Sequence, residues 1–120
     1  MVYDEPYVVH RSPAPYVVLG ASGIMKNMHY VYVLRSLNHE WIYVGSTNSV
    51  KRRFQEHKRG EVQSTKPYRP FQLLFYEAFI SKNDAIRREN YLKTSKGKST
   101  LRMILRDSFQ ITESVEVGSD

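Results

Sequence analysis

Two tyrosines, an arginine, a histidine and a glutamate carry the chemistry that this 120-residue chain can offer. Tyr32 and Tyr43 fall in two short apolar-aromatic runs. Arg53 and His57 follow, four positions apart, and Glu89 lies later, between Ala85 and Leu92. Residues at i and i+4 are neighbours on a helix, so Arg53 and His57 would meet there. An inward carboxylate such as Glu89 costs several kcal/mol, about 2–7 on the scale for unpaired polar burial, unless it is paired or bound to a metal. Together the set suits phosphodiester hydrolysis. A metal polarises the phosphate, a base positions water, and a cation stabilises the developing charge.

Each residue also has a plainer reading. Tyr32 and Tyr43 can be a cross-strand aromatic pair. Arg53 can lay its stem over a sheet edge. Glu89 can sit in a salt bridge, with Arg88 or Arg53 as partner. Its functional reading is a ligand for a hard divalent cation, which prefers carboxylate oxygen and keeps several waters.

The elements that must position these groups are legible from the spacing. Tyr30 to Leu34 and Trp41 to Val44 flank the polar link Ser36 to Glu40, which predicts a hairpin with strands His29 to Arg35 and Glu40 to Ser46. After Gly45 the period changes, and Val50, Phe54 and His57 predict a helix from Ser49 to Arg59, capped by Asn48 or Ser49 and stopped by Gly60. Arg53 and His57 border its apolar stripe, whereas Lys51, Arg52 and Gln55 face solvent. Gly45 adds no side chain where the backbone turns into this helix, leaving space beside the tyrosines. Glu61 to Pro70 reads as a polar, proline-bounded loop. Phe71 to Ile80 predicts a third strand, apolar on both faces and so covered on both. Ser81 or Asn83 caps a second helix, Asp84 to Ser95, with Glu89 on its inward stripe. Lys96-Gly97-Lys98 then breaks that helix, and Ser99 caps a third helix to Arg106 with Leu101, Ile104 and Leu105 inward. The order is ββαβαα, a small α/β domain on a three-stranded sheet.

Residues 1–27 hold Pro6, Pro13 and Pro15 without a clear period. They read as an extension, either disordered or upstream of a start at Met25 or Met28. Residues 28–107 form the domain, and 108–120 an acidic flexible tail.

Charge is uneven. Met28 to Asp107 holds 16 Lys and Arg against 7 Asp and Glu, while the two ends hold 2 against 5. A basic body is the electrostatic footprint of a polyanion binder. Lys51 and Arg52, with Lys66 and Arg69 in the loop, would grip phosphate. There is no cysteine, which excludes disulfides and thiolate zinc sites. No apolar run approaches the ~20 residues that cross a bilayer. A cytoplasmic protein with no membrane partner is the expectation.

On these residues the chain resembles the GIY-YIG nucleases. The two signature tripeptides appear as Val31-Tyr32-Val33 and Tyr43-Val44-Gly45, followed by Arg53 and His57. Glu89 matches the family's metal-binding glutamate within Arg88-Glu89-Asn90-Tyr91-Leu92-Lys93. The resemblance covers Met28 to Leu105 and is nearest to the small stand-alone bacterial branch. It is also similar to the nuclease domains of the excision-repair incision enzyme and of a branched-DNA resolvase.

The resemblance implies an antiparallel sheet flanked by three helices and an endonuclease acting on DNA in repair or recombination. It implies one Mg²⁺ or Mn²⁺ on Glu89, water activated by a tyrosine, Tyr32 first, and Arg53 stabilising the transition state. Tyr43 and His57 would orient groups or assist proton transfer, and the products would be a 5′-phosphate and a 3′-hydroxyl. Val31 and Val33 replace the usual Gly and Ile, and Ser46 stands where some members carry lysine. No targeting module is recognisable, which leaves room for a protein partner that supplies specificity. Two other functions compete. One is a nucleic-acid-binding module of the same fold that does not cut, with RNA as an alternative polymer. The other is a small protein-binding adaptor, against which the charge argues.

Overall fold

A computed structural model describes residues 27–118, with side chains through Thr112. The expected extension, apart from Asn27, lies outside the described residues.

The sheet has three antiparallel strands: β1 (His29–Ser36), β2 (Ile42–Thr47) and β3 (Phe71–Phe79). Their spatial order is β2-β1-β3, so β1 is central and β2 is an edge. The apolar-aromatic alternation explains the arrangement, because β1 must bury both of its faces. Val31 and Val33 face one way, Tyr32 and Leu34 the other, and all four are buried.

Each face has its own apolar cluster. On one, Val31, Val33 and Val44 meet Ala85, Leu92, Leu101 and Leu105 from the later helices. On the other, Tyr32, Leu34 and Phe71 are packed by Trp41, Tyr43, Phe54, Tyr68 and Leu73. Opposite β3 the register runs Val33↔Phe75 and then Leu34↔Leu73. Leu74 is thus an extra residue at a bulge, and β3 supplies apolar groups to both clusters.

Helix α1 (Val50–Lys58) starts where expected, with the Ser49 side chain accepting from the Arg52 amide. Such a cap is worth about 1 kcal/mol. Gly60 follows at φ 78°, the left-handed conformation that glycine adopts without strain. Inside the expected loop a short 3₁₀ turn forms at Lys66–Tyr68. Helix α2 (Lys82–Leu92) is capped by Ser81, whose side chain accepts from the Asp84 amide, so it starts and ends earlier than expected.

Two expectations fail after α2. Lys96-Gly97-Lys98 is not a helix break. Helix α3 (Ser95–Ile104) runs through it, capped by Thr94 rather than Ser99. Gly97 is there for close approach: a Cβ on it would run into the Tyr91 carbonyl oxygen. Ile104 is not inward but 51% exposed, while Leu101 and Leu105 are buried. The second failure concerns the tail. Helix α4 (Arg106–Gly118) occupies most of it, so among the described residues four helices flank the sheet instead of three. Phe109 packs against the first cluster and Thr112 is buried, which gives this segment a reason to be helical. No helix among the described residues is long and apolar enough to cross a membrane.

Candidate active site

The site assembles around one dipeptide, Gly45-Ser46, at the end of β2. Tyr32 pairs directly with Gly45 in the hairpin register. Facing residues share a side, so the Tyr32 ring lies across the glycine. A Cβ on Gly45 would stand 2.6 Å from the Tyr32 hydroxyl oxygen and 2.9 Å from Tyr43 Cε2. The space that the missing side chain was expected to leave is filled by the phenol. The two tyrosine rings are 6.1 Å apart. Ser46 points to the opposite face, where its hydroxyl donates to Glu89 Oε1 at 2.8 Å. Adjacent β2 residues thus hold the phenol on one side and the acid on the other.

Helix α1 brings His57 into contact with the phenol. His57 is fully buried, with Nε2 2.7 Å from the Tyr32 hydroxyl and Nδ1 2.8 Å from Thr65 Oγ1. The Thr65 hydroxyl donates to the Val62 carbonyl at 3.3 Å, leaving its oxygen to accept from Nδ1–H. This assigns the tautomer: Nε2 carries the lone pair and accepts the Tyr32 proton. Burial, reinforced by the Arg53 charge and partly offset by Glu56, holds the imidazole down at about 4, so it is neutral near pH 7. Burial pushes the Tyr32 phenol well above the usual tyrosine range. Arg53 pulls it back, while Tyr43 and Glu89 push it further up.

Arg53 and Glu89 have partners that the sequence reading did not assign. Arg53 donates to Glu56 Oε1 at 2.8 Å, one helical turn away. Arg88 is bidentate to Glu77 at 2.9 and 3.1 Å. Neither is the salt-bridge partner of Glu89; that partner is Lys93, 2.9 Å from Oε2 at i+4. His29 also feels Glu89, though burial and Lys82 keep its pKa below the ordinary value. Glu56 and Lys93 were readable from i,i+3 and i,i+4 charge spacing. Thr65 and Ser46 had no local signal, because only the tertiary fold brings them in.

Among the described residues no three of His, Cys, Asp and Glu converge on one point. An ion here would rest on Glu89, completed by water and substrate oxygen. That donor set fits a hard cation such as Mg²⁺ and not zinc, which takes three or four protein ligands. The Glu89 side chain is 16% exposed, so it is reachable. Its Lys93 partner is a half-exposed i,i+4 pair, worth only about 0.3–0.5 kcal/mol, and yields readily.

The expected phosphate-gripping residues fall in two places. Lys66 and Arg69 line a cleft of about 780 Å³ with Lys58 and Phe71. Lys51 is exposed beside Tyr30 and Tyr76. Arg52, expected to face solvent, also donates to Thr47 Oγ1 at 3.3 Å.

Residues 28–102 match the GIY-YIG catalytic domain. The chain belongs to the GIY-YIG family. This is a family of nucleases that generally use divalent metal ions. Among similar proteins, UPF0213 protein SH2523 of Staphylococcus haemolyticus is 38% identical over 63% of this GIY-YIG chain and 93% of its own. UPF0213 protein YazA of Bacillus subtilis is 37% identical over 56% and 68%. The solution NMR structure of UPF0213 protein BH0048 of Bacillus halodurans has 34% identity over 64% and 84%, with a TM-score of 0.42.

Proposed function

We propose that this GIY-YIG protein is a metal-dependent endonuclease that hydrolyses phosphodiester bonds of DNA. One observation carries the reading. Gly45 and Ser46, adjacent at one strand end, hold the neutral Tyr32–His57 pair on one side and the Glu89 carboxylate on the other, with Arg53 acting on the phenol.

Arg53 is about a third exposed, whereas Tyr32 is 1% exposed. Substrate phosphate therefore meets Arg53 first. Turning from Glu56 to the phosphate, Arg53 bears the transition-state charge and stops opposing a proton on His57. Water attacks phosphorus and the bond to the 3′ oxygen breaks. As the water proton moves to the Tyr32 oxygen, the Tyr32 proton moves to His57 Nε2, so no phenolate accumulates. The 3′ oxygen takes its proton from solvent. Tyr43 packs against both the Tyr32 and His57 rings and orients them. Glu89 would hold Mg²⁺ or Mn²⁺, which when bound supplies Lewis acidity to the phosphate. Lys51, Arg52, Lys66 and Arg69 would hold flanking phosphates. A role in DNA repair, and a protein partner that directs the cut, fit this chemistry.

The alternative is a nucleic-acid-binding module that does not cut. The Lys93–Glu89 ion pair favours it, since a resident ammonium can replace a metal. A nicking assay separates the two. Branched and single-stranded DNA should be cut with Mg²⁺ or Mn²⁺, and EDTA should stop it. Glu89→Ala and Arg53→Ala should lose cutting and keep binding. Parental cutting by both variants sinks these residue roles. Salt-sensitive binding with no cutting of any substrate favours the alternative.

A further inference from the structure

A second cationic cleft lies at the other end of β2, on the side of α3 and α4. It measures about 390 Å³ and is lined by Arg35, Glu40, Trp41, Ile42, Lys98, Arg102, Arg106 and Phe109. Lys98, Arg102 and Arg106 recur every four residues along α3 and into α4, which brings them to one side. Arg35 is 6% exposed, held by the Phe109 carbonyl at 3.2 Å and by the Phe109 ring.

Part of the charge elsewhere on the surface is matched. Arg52, Arg53, Arg59, Arg87, Arg88 and Lys93 each have a carboxylate partner. Lys98, Arg102 and Arg106 form no ion pair among the described residues. Lys98, Arg102 and Arg106 repel one another across this concavity, where Glu40 is the one lining carboxylate among the described residues, and an anion between them relieves that repulsion.

We propose that this cleft is a second backbone subsite, which takes a phosphate of the nucleic-acid strand away from the reacting one. The proposal rests on the nucleic-acid reading above but not on cutting. Ile42 and Ser46 share a face of β2, four residues or about 13 Å apart. At a rise of about 3.4 Å per nucleotide, that separates the cleft from the Glu89 site by about four nucleotides. β2 is an edge strand, so a polymer can lie alongside it. The small cleft in the wall, with an indole at its rim, suits one phosphate and its sugar.

Trp41 is the sole tryptophan of the chain and gives the site its own signal. Full-length protein would be titrated with a fluorescein-labelled DNA oligonucleotide in EDTA, following anisotropy and, with unlabelled DNA, Trp41 emission. Arg102→Gln/Arg106→Gln should bind about tenfold more weakly and lower the log–log salt slope by about one to two. Its Trp41 response should be lost. Arg87→Gln, a control on α2, should match the parent. Parental affinity and slope in the double variant overturn the proposal, as does an absence of any DNA binding by the parent. If a free mononucleotide displaces the Trp41 response as fully as the oligonucleotide, the cleft is a small-phosphate site and the proposal fails. Binding with the expected changes but no cutting in Mg²⁺ leaves the proposal standing and removes only the nuclease reading.

Discussion

The Tyr32 hydroxyl and His57 Nε2 lie 2.7 Å apart inside the protein, with Thr65 fixing the far side of the imidazole. A phenol donating to a buried neutral histidine is a proton path, and it is also a structural tie. The two roles separate on mutation. Tyr32→Phe keeps the ring that covers Gly45 and removes only the hydroxyl. Its single-turnover nicking rate should fall by about 10²–10⁴-fold, the range for a general base. Adding His57→Gln should cost little more, because the two act as a unit. A Tyr32→Phe protein that nicks at the parental rate rules out the relay.

His57 makes stability depend on pH. Its folded pKa of about 4 lies below the ordinary 6.5, so between these values the unfolded chain binds more protons. Stability from this residue is therefore fully present above pH 6.5 and is lost as pH falls through 4. The 2.5-unit gap corresponds to at most about 3 kcal/mol. Urea midpoints measured from pH 7 to pH 4 should fall in the parent and flatten in His57→Gln. Equal slopes in the two proteins would contradict it.

Lys93 should restrain the acid. Lys93→Ala removes an ammonium from Glu89 Oε2. Mn²⁺ affinity, read by calorimetry without DNA, should rise about twofold, as expected for a pair worth about 0.3–0.5 kcal/mol. Glu89→Gln should abolish the binding heat. Unchanged heat in Glu89→Gln would move the ion elsewhere.

Two glycines should resist alanine for different reasons. Gly45→Ala drives a methyl into the Tyr32 and Tyr43 rings and should cost about 1–3 kcal/mol, with cutting reduced further than stability explains. Gly97→Ala meets backbone atoms that cannot turn aside, and it should lower Tm more than Gly45→Ala does. Thermal melts order the two directly.

The hairpin, α1 and its Ser49 cap were legible because each follows a local rule of alternation, helical spacing or capping. Tyr32, Tyr43, Arg53, His57 and Glu89 were legible as residue types on the right elements. Their hydrogen-bond partners were not. Thr65 reaches His57 from the loop after α1, and Ser46 reaches Glu89 across two elements, so neither pairing has a sequence period. Gly97 misled for a related reason. Glycine breaks an isolated helix, but here the packing of α3 on the end of α2 demands it. The tail looked loose because its apolar residues are sparse. Among the described side chains, Phe109 gives α4 an anchor in the first apolar cluster.

The sheet separates two apolar clusters, and the groups of the proposed site are shared between them. Tyr32 and His57 are moored in one, Glu89 through α2 in the other. The central strand is thus the ruler that sets the acid against the phenol. Loosening either face shifts half of the machinery relative to the other while both halves stay individually intact. Substitutions at Leu92 or Leu101, remote from DNA, should therefore read in kinetics as misalignment well before the molecule melts.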